Sequence, residues 1–97
     1  MKLNMHSIHF DADQKLLDFI QKKLDKLETF YDQIVDGEVF LRLNNSKVEN
    51  KTVEIKLNIP GNQLFAKEEA KTFEEATDQA AEALRRQLRK FKVKQSA

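Results

Sequence analysis

Apolar residues recur along this chain with two different periods, and the places where the period changes divide it into six segments. Leu3 and Met5 alternate with Lys2, Asn4 and His6, which predicts a first strand over residues 2–10. Asp11, Ala12 and Asp13 interrupt the alternation. Asp13 is suited to cap a helix, since its carboxylate can accept from a free amide of the first turn. From Gln14 to Tyr31 the main apolar residues are Leu16, Leu17, Ile20, Leu24, Leu27, Phe30 and Tyr31, with Phe19 outside their stripe. At helical spacing they gather on about a third of the circumference, the pattern of one buried face.

Asp36-Gly37 has the composition of a turn, after which Val39, Leu41 and Leu43 share one face of a second strand over residues 38–44. Residues 45–51 are polar apart from Val48 and predict a hairpin loop. Val53, Ile55, Leu57 and Ile59 then alternate with Thr52, Glu54, Lys56 and Asn58, a third strand with one apolar side. Pro60-Gly61-Asn62 is a turn, with proline presetting one dihedral and glycine accepting the positive one. A short fourth strand follows over residues 63–68.

The last element opens with Thr72-Phe73-Glu74-Glu75, a capping box in which threonine and Glu75 can satisfy each other's backbone amides. Its apolar stripe is Phe73, Ala76, Ala80, Leu84, Leu88 and Phe91, with Thr77 and Gln87 at the margin. The order β-α-β-β-β-α makes the first two strands parallel, joined by a right-handed crossover, and the remaining pairs antiparallel. The predicted fold is therefore α+β: one domain over residues 1–97, a four-stranded mixed sheet with both helices packed on its apolar face. Residues 93–97 are expected to form a loose basic tail. The other sheet face, carrying Phe40, Arg42, Glu54 and Lys56, is left for water or a partner.

Composition narrows the function. The 97 residues are 40% hydrophobic and 34% charged, enough for one modest core under a heavily charged surface. With no cysteine there is no disulfide framework, no thiolate nucleophile and no cysteine-ligated metal. No apolar run approaches the ~20 residues that span a bilayer, and the first ten residues lack a signal-peptide core, so a cytoplasmic protein is expected. His6 and His9, three apart on the expected strand, fall on opposite faces and cannot make a two-ligand metal site alone. The carboxylates are spread over solvated helix surfaces, and two glycines make no phosphate loop. An enzyme, a metal and a cofactor are all unexpected.

The net charge of +1 conceals a sharp split. Residues 1–84 hold 11 Lys/Arg and 16 Asp/Glu, a balance of −5, whereas residues 85–97 hold six cations and no acid. Cations near a helix C-terminus complement the macrodipole, and one or two would suffice for that. Six exceed it. Arg85, Arg89 and Lys92 lie within about 60° of one another on the helix, and Arg86 and Lys90 widen the band across its outer face. Leu88 and Phe91 hold the segment down as a presented surface, which points to an anionic partner. Lys15, Lys22 and Lys26 form a weaker stripe on the first helix, diluted by Asp18, Asp25 and Glu28. Lys23 sits at the core margin, where its stem can pack while its amine reaches outward.

Three segments carry a resemblance to a known family. They are Leu3-Asn4 in the first strand, Lys22-Lys23-Leu24-x-x-Leu27-Glu28 in the first helix, and Arg86-Gln87-Leu88-x-Lys90-x-Lys92 in the last. In this order and spacing, with Asp78 in place, the chain resembles the bacterial ribosome hibernation-promoting factor and ribosome-associated inhibitor family in its short, single-domain form, over about residues 1–92. The resemblance implies a fold like a double-stranded RNA-binding domain and no catalytic residues. It implies binding to the small ribosomal subunit near the decoding centre, across the paths of mRNA and tRNA, silencing ribosomes in stationary phase or stress. By matching position, Lys22, Lys23, Arg86, Lys90 and Lys92 would contact ribosomal RNA, with Lys26 and Arg89 as equivalents of similar charge. Position 85, often acidic in relatives, is Arg85 here, and Glu74 stands where tyrosine is common. Long members add a dimerisation domain. A chain that stops at Ala97 is expected to be a monomer off the ribosome, with neither a membrane nor a small-molecule partner.

Two other readings compete. A generic double-stranded RNA binder usually clamps phosphates with lysines at the start of its last helix. Here that end carries Glu68, Glu69, Glu74 and Glu75. A protein-interaction module would instead dock its basic helix on an acidic protein surface.

Overall fold

The computed structural model describes residues 1–44 and 48–96, and side chains as far as Lys92 in the final helix. Six elements follow in the expected order: β1 (Lys2–Ile8), α1 (Gln14–Phe30), β2 (Asp36–Leu43), β3 (Lys51–Ile59), β4 (Asn62–Ala70) and α2 (Phe73–Ser96). The sheet runs β1-β2-β3-β4. β1 and β2 are parallel, with Met5 opposite Val39, and the other two pairs are antiparallel. Of the polar hairpin loop expected over residues 45–51, positions 45–47 lie outside the described residues. Its base is closed by the Asn44 amide donating to the Asn50 carbonyl at 2.8 Å.

One core joins all the layers. Leu16, Ile20, Leu24 and Leu27 of α1 meet Val39, Leu41, Val53, Ile55 and Leu57 of the sheet and Ala76, Ala80, Leu84 and Leu88 of α2, all buried. Both helices start where the sequence places their caps. The Asp13 carboxylate accepts from the Leu16 amide at 2.9 Å, and the Thr72 hydroxyl accepts from the Glu75 amide at 3.0 Å. Thr77, placed at the margin of the α2 stripe, is fully buried; its hydroxyl donates to the Phe73 carbonyl at 2.7 Å, so burial leaves no polar atom unsatisfied. The turn between β3 and β4 uses Gly61 at φ +76°, as the Pro-Gly pair requires.

Three boundaries differ from expectation. β1 ends at Ile8 because His9 adopts a left-handed conformation (φ 69°) that breaks the ladder. His6 and His9 therefore do not share a strand, and Phe10 turns to stack on Phe73 with centroids 4.9 Å apart. Asp36-Gly37 is not a turn but the start of β2. A Cβ at Gly37 would come within 2.7 Å of the Leu57 side chain, 2.9 Å of Leu3 and 2.9 Å of the Lys56 carbonyl. Glycine is needed there for space. Gly37→Ala should therefore destabilise the fold by about 1–3 kcal/mol, the usual range for overpacking, since the backbone carbonyl cannot step aside. Chemical denaturation measures this directly. Finally, the fourth strand, expected over residues 63–68, runs Asn62–Ala70, because it stays paired with β3 as far as Lys51 opposite Ala70.

Candidate nucleic-acid interface

α1 and α2 lie side by side with their C-terminal ends together. The Lys23 amine of α1 pairs with Asp78 of α2 at 3.0 Å, and one helical stretch further along, Arg85 and Lys92 approach Phe30. An open groove of roughly 590 Å³ runs between the helices, bordered by Lys23, Lys26, Phe30, Asp78, Glu82 and Arg85 among others. Its charge is graded. Asp78 and Glu82 lie in the N-terminal half of α2, with Lys23 opposite Asp78, and Lys26 and Arg85 lie further along toward the C-terminal ends.

Each expected contact residue can now be placed. Arg86, Arg89 and Lys90 are exposed on the outer side of α2. Among the described residues, none of the three has an ion-pair or hydrogen-bond partner for its side chain. The exposed Lys22 and Lys26 side chains on α1 are likewise unpaired among the described residues. Lys23 is different. Its amine lies over the Phe19 ring, 5.5 Å from the centroid, and its charge ties the two helices together through Asp78.

Lys92 also has a structural task. Its amine donates to the Phe30 carbonyl at 3.1 Å, and α1 has no basic residue in its own last turn. A terminal helix carbonyl left without a partner is thus capped from a residue 62 positions away. Lys92→Gln should cost about 0.3–1 kcal/mol of stability, as a helix-terminal cation does, while Arg89→Gln should cost nothing measurable. Paired thermal melts at low salt separate the two.

The acids expected to dilute the α1 stripe are largely engaged elsewhere. Asp25 and Glu28 both bind the Met1 ammonium, and Gln21 donates to Asp25 at 2.9 Å and to the Met1 carbonyl at 2.8 Å. Hydrogen bonds to Glu28 and Asp25 raise the ammonium above the ordinary α-amine range. Burial pushes the Asp25 carboxyl up, but the hydrogen bonds from the ammonium and Gln21 outweigh it and hold the group below its usual range. Lys22 and Lys26 consequently stand in a field less opposed than the bare sequence suggests.

The open sheet face is arranged otherwise. Phe40 is stacked on His6 (4.9 Å, 15°), with Arg42 and Lys56 within 6 Å of its ring. Arg42 pairs with Glu54, Lys67 approaches the same carboxylate at 3.9 Å, and His6 lies 3.2 Å from Glu38. Charge on this face is internally neutralised. Among the described residues, no group of three or more His, Cys, Asp or Glu is placed to hold a metal ion, and no helix is long and apolar enough to cross a membrane.

Two features at the interface escaped the sequence. The Phe30 carbonyl cap could not be seen, because it joins residues far apart in the chain. Phe30 itself was grouped with the α1 core stripe, yet its ring is only partly buried and borders the groove. Its offset from Leu24 and Leu27 is the one sequence signal that could have set it apart.

Comparison with known proteins agrees with this architecture. The family model described as "Sigma 54 modulation protein / S30EA ribosomal protein" matches residues 3–96. A ribosome hibernation promoting factor of Pseudomonas putida is 34% identical over 97 residues, covering all of this chain and 92% of its own length. A ribosomal subunit interface protein from Coxiella burnetii has the same fold, with a TM-score of 0.86 over 96% of this chain and 99% of that one at 24% identity. The N-terminal domain of Protein Y from Thermus thermophilus superposes at a TM-score of 0.83, covering 94% and 99% at 25% identity. With the match running through both helices and all four strands, this chain belongs to the S30EA family of ribosome hibernation promoting factors, ribosome-associated translation inhibitors that are not enzymes.

Proposed function

We propose that this chain docks on the small ribosomal subunit near the decoding centre, with the outer side of α2 and the Lys22–Lys26 side of α1 against ribosomal RNA. Bound there it occupies the paths of mRNA and tRNA and silences cytoplasmic ribosomes in stationary phase or under stress; off the ribosome it is a monomer. One observation carries the proposal. Arg86, Arg89 and Lys90 form an exposed cationic row with no partner among the described residues, whereas Lys23 and Arg42 are paired with acids and Lys67 approaches one. A row of unpaired guanidinium and ammonium groups on a rigid helix suits phosphates, which bind by charge and by release of condensed counterions.

The acids at the start of α2 support a ribosomal target over plain duplex. Glu74 and Glu75 sit in its first turn, where a duplex-binding domain usually presents lysines. The test is twofold. The protein should sediment with isolated small subunits and inhibit translation of a reporter mRNA in vitro, and it should bind a plain RNA duplex much more weakly. Equal binding to duplex and subunit, without inhibition, would move the chain to a general RNA binder.

A further inference from the structure

The cations of the interface explain attraction to phosphate but not the aromatic ring set among them. Phe30 ends α1 and is only partly buried. The Arg85 guanidinium carbon stands 5.3 Å from its centroid and the Lys92 amine 4.7 Å. It borders both the interhelical groove and a second hollow of roughly 310 Å³ formed with Thr29, Tyr31, Asp32, Gln33 and Lys92. A ring needed only for the core would be wrapped by apolar side chains. This one is flanked by cations and opens onto two hollows.

We propose that Phe30 is a base-stacking position, receiving an unpaired nucleobase of RNA on its ring while Arg85 and Lys92 take the adjoining phosphates. The inference rests on the RNA-binding role proposed above and deepens it, from a charged face to one with a defined nucleotide subsite. Aromatic rings beside basic side chains are how proteins hold unstacked bases, since the π-face takes the base and the cations take the backbone. The local partners permit it. Among the described residues Arg85 is otherwise held only by Glu82 at 4.0 Å, a distance too long for a firm ion pair, so its guanidinium can leave the ring for a phosphate as the base arrives. Lys92 donates to the Phe30 carbonyl through one of its three N–H bonds, so it can hold the end of α1 in place while also reaching a phosphate.

An exposed aromatic elsewhere on the molecule is a poorer candidate. Phe65 on β4 is 47% exposed, but it lies on the open sheet face, where Lys2, Arg42, Lys56 and Lys67 are matched by Asp36, Glu38, Glu54 and Glu69. That face has no net field to draw a polyanion.

The experiment compares wild type, Phe30→Leu and Phe30→Tyr for binding to isolated small subunits across a salt series. Leucine keeps an apolar side chain but has no π-face. Stacking predicts that Phe30→Leu binds about 5- to 100-fold more weakly, with an unchanged salt slope, and that Phe30→Tyr binds like wild type. Phe30→Leu binding as tightly as wild type overturns the stacking subsite alone and leaves the basic-face proposal standing. A weaker Phe30→Leu with a flattened slope also overturns it, since Phe30 would then act only by positioning the cations. Wild type failing to bind at all overturns both. Should Phe30→Leu not fold, Phe30→Trp decides, because the chain has no other tryptophan. Emission quenched on adding small subunits supports a stacked base, and unchanged emission in the bound complex overturns it.

Discussion

Replacing Arg86, Arg89 and Lys90 together by glutamine is expected to weaken small-subunit binding by roughly 100- to 1,000-fold near 0.1 M salt while leaving the fold intact. The estimate follows from counterion release. Each phosphate contact contributes a slope of about 0.7–0.9 in log K against log salt, so three contacts remove about 2–3 units of slope. The fold should survive because all three side chains are exposed and unpaired among the described residues. Lys92 is left out of the set deliberately, since it caps α1 and its loss would mix stability with binding. Lys22 and Lys26 changed together should act in the same direction but less, being two contacts on a helix that also bears Asp18. In translation assays the triple variant should lose inhibition at concentrations where wild type is saturating. A folded variant with unchanged inhibition would move attention to the open sheet face around Arg42 and Lys56.

The second large effect lies in the core. Leu24→Ala should destabilise the protein by about 2–5 kcal/mol, the range for truncating a fully buried leucine. Leu24 has no exposed surface and belongs to the cluster that joins α1 to the sheet and α2. Losing it also loosens the base on which Lys22, Lys23 and Lys26 are displayed, so binding should fall as the folded fraction falls. Equilibrium unfolding in urea checks the energy. A loss under about 1 kcal/mol would mean that the site collapses around the smaller side chain far better than buried leucine sites do.

Much of this was legible in the chain because periodicity is a local signal. The stripe Leu16-Ile20-Leu24-Leu27 and the alternation Val53-Ile55-Leu57-Ile59 each determine which side is buried, and both are buried as expected. The caps at Asp13 and Thr72 are local as well. What failed depended on distant partners. Asp36-Gly37 has turn composition, but Leu3 and Leu57 decide the role of the glycine by filling the space beside it. The end of β1 turns on one backbone angle at His9, a residue type that does not announce left-handed geometry as glycine does. At the interface, the charge split at position 85 was visible, and the division of labour within it was not. Lys23 and Lys92 resemble Arg89 and Lys90 in sequence, yet each is tied to the other helix, through Asp78 and the Phe30 carbonyl. Those ties exist only once the two helices are adjacent.

Tethered cleavage can decide whether the outer side of α2 faces ribosomal RNA. The chain has no cysteine, so a single one can carry an iron chelate that cuts nearby RNA. Glu82→Cys places it among Arg85 and Arg86 without removing a cation, and Glu38→Cys places it on the open sheet face. Strong cleavage from position 82 is expected in the small-subunit RNA around the mRNA and tRNA paths, and little from position 38. Strong cleavage from position 38 with none from position 82 would contradict it.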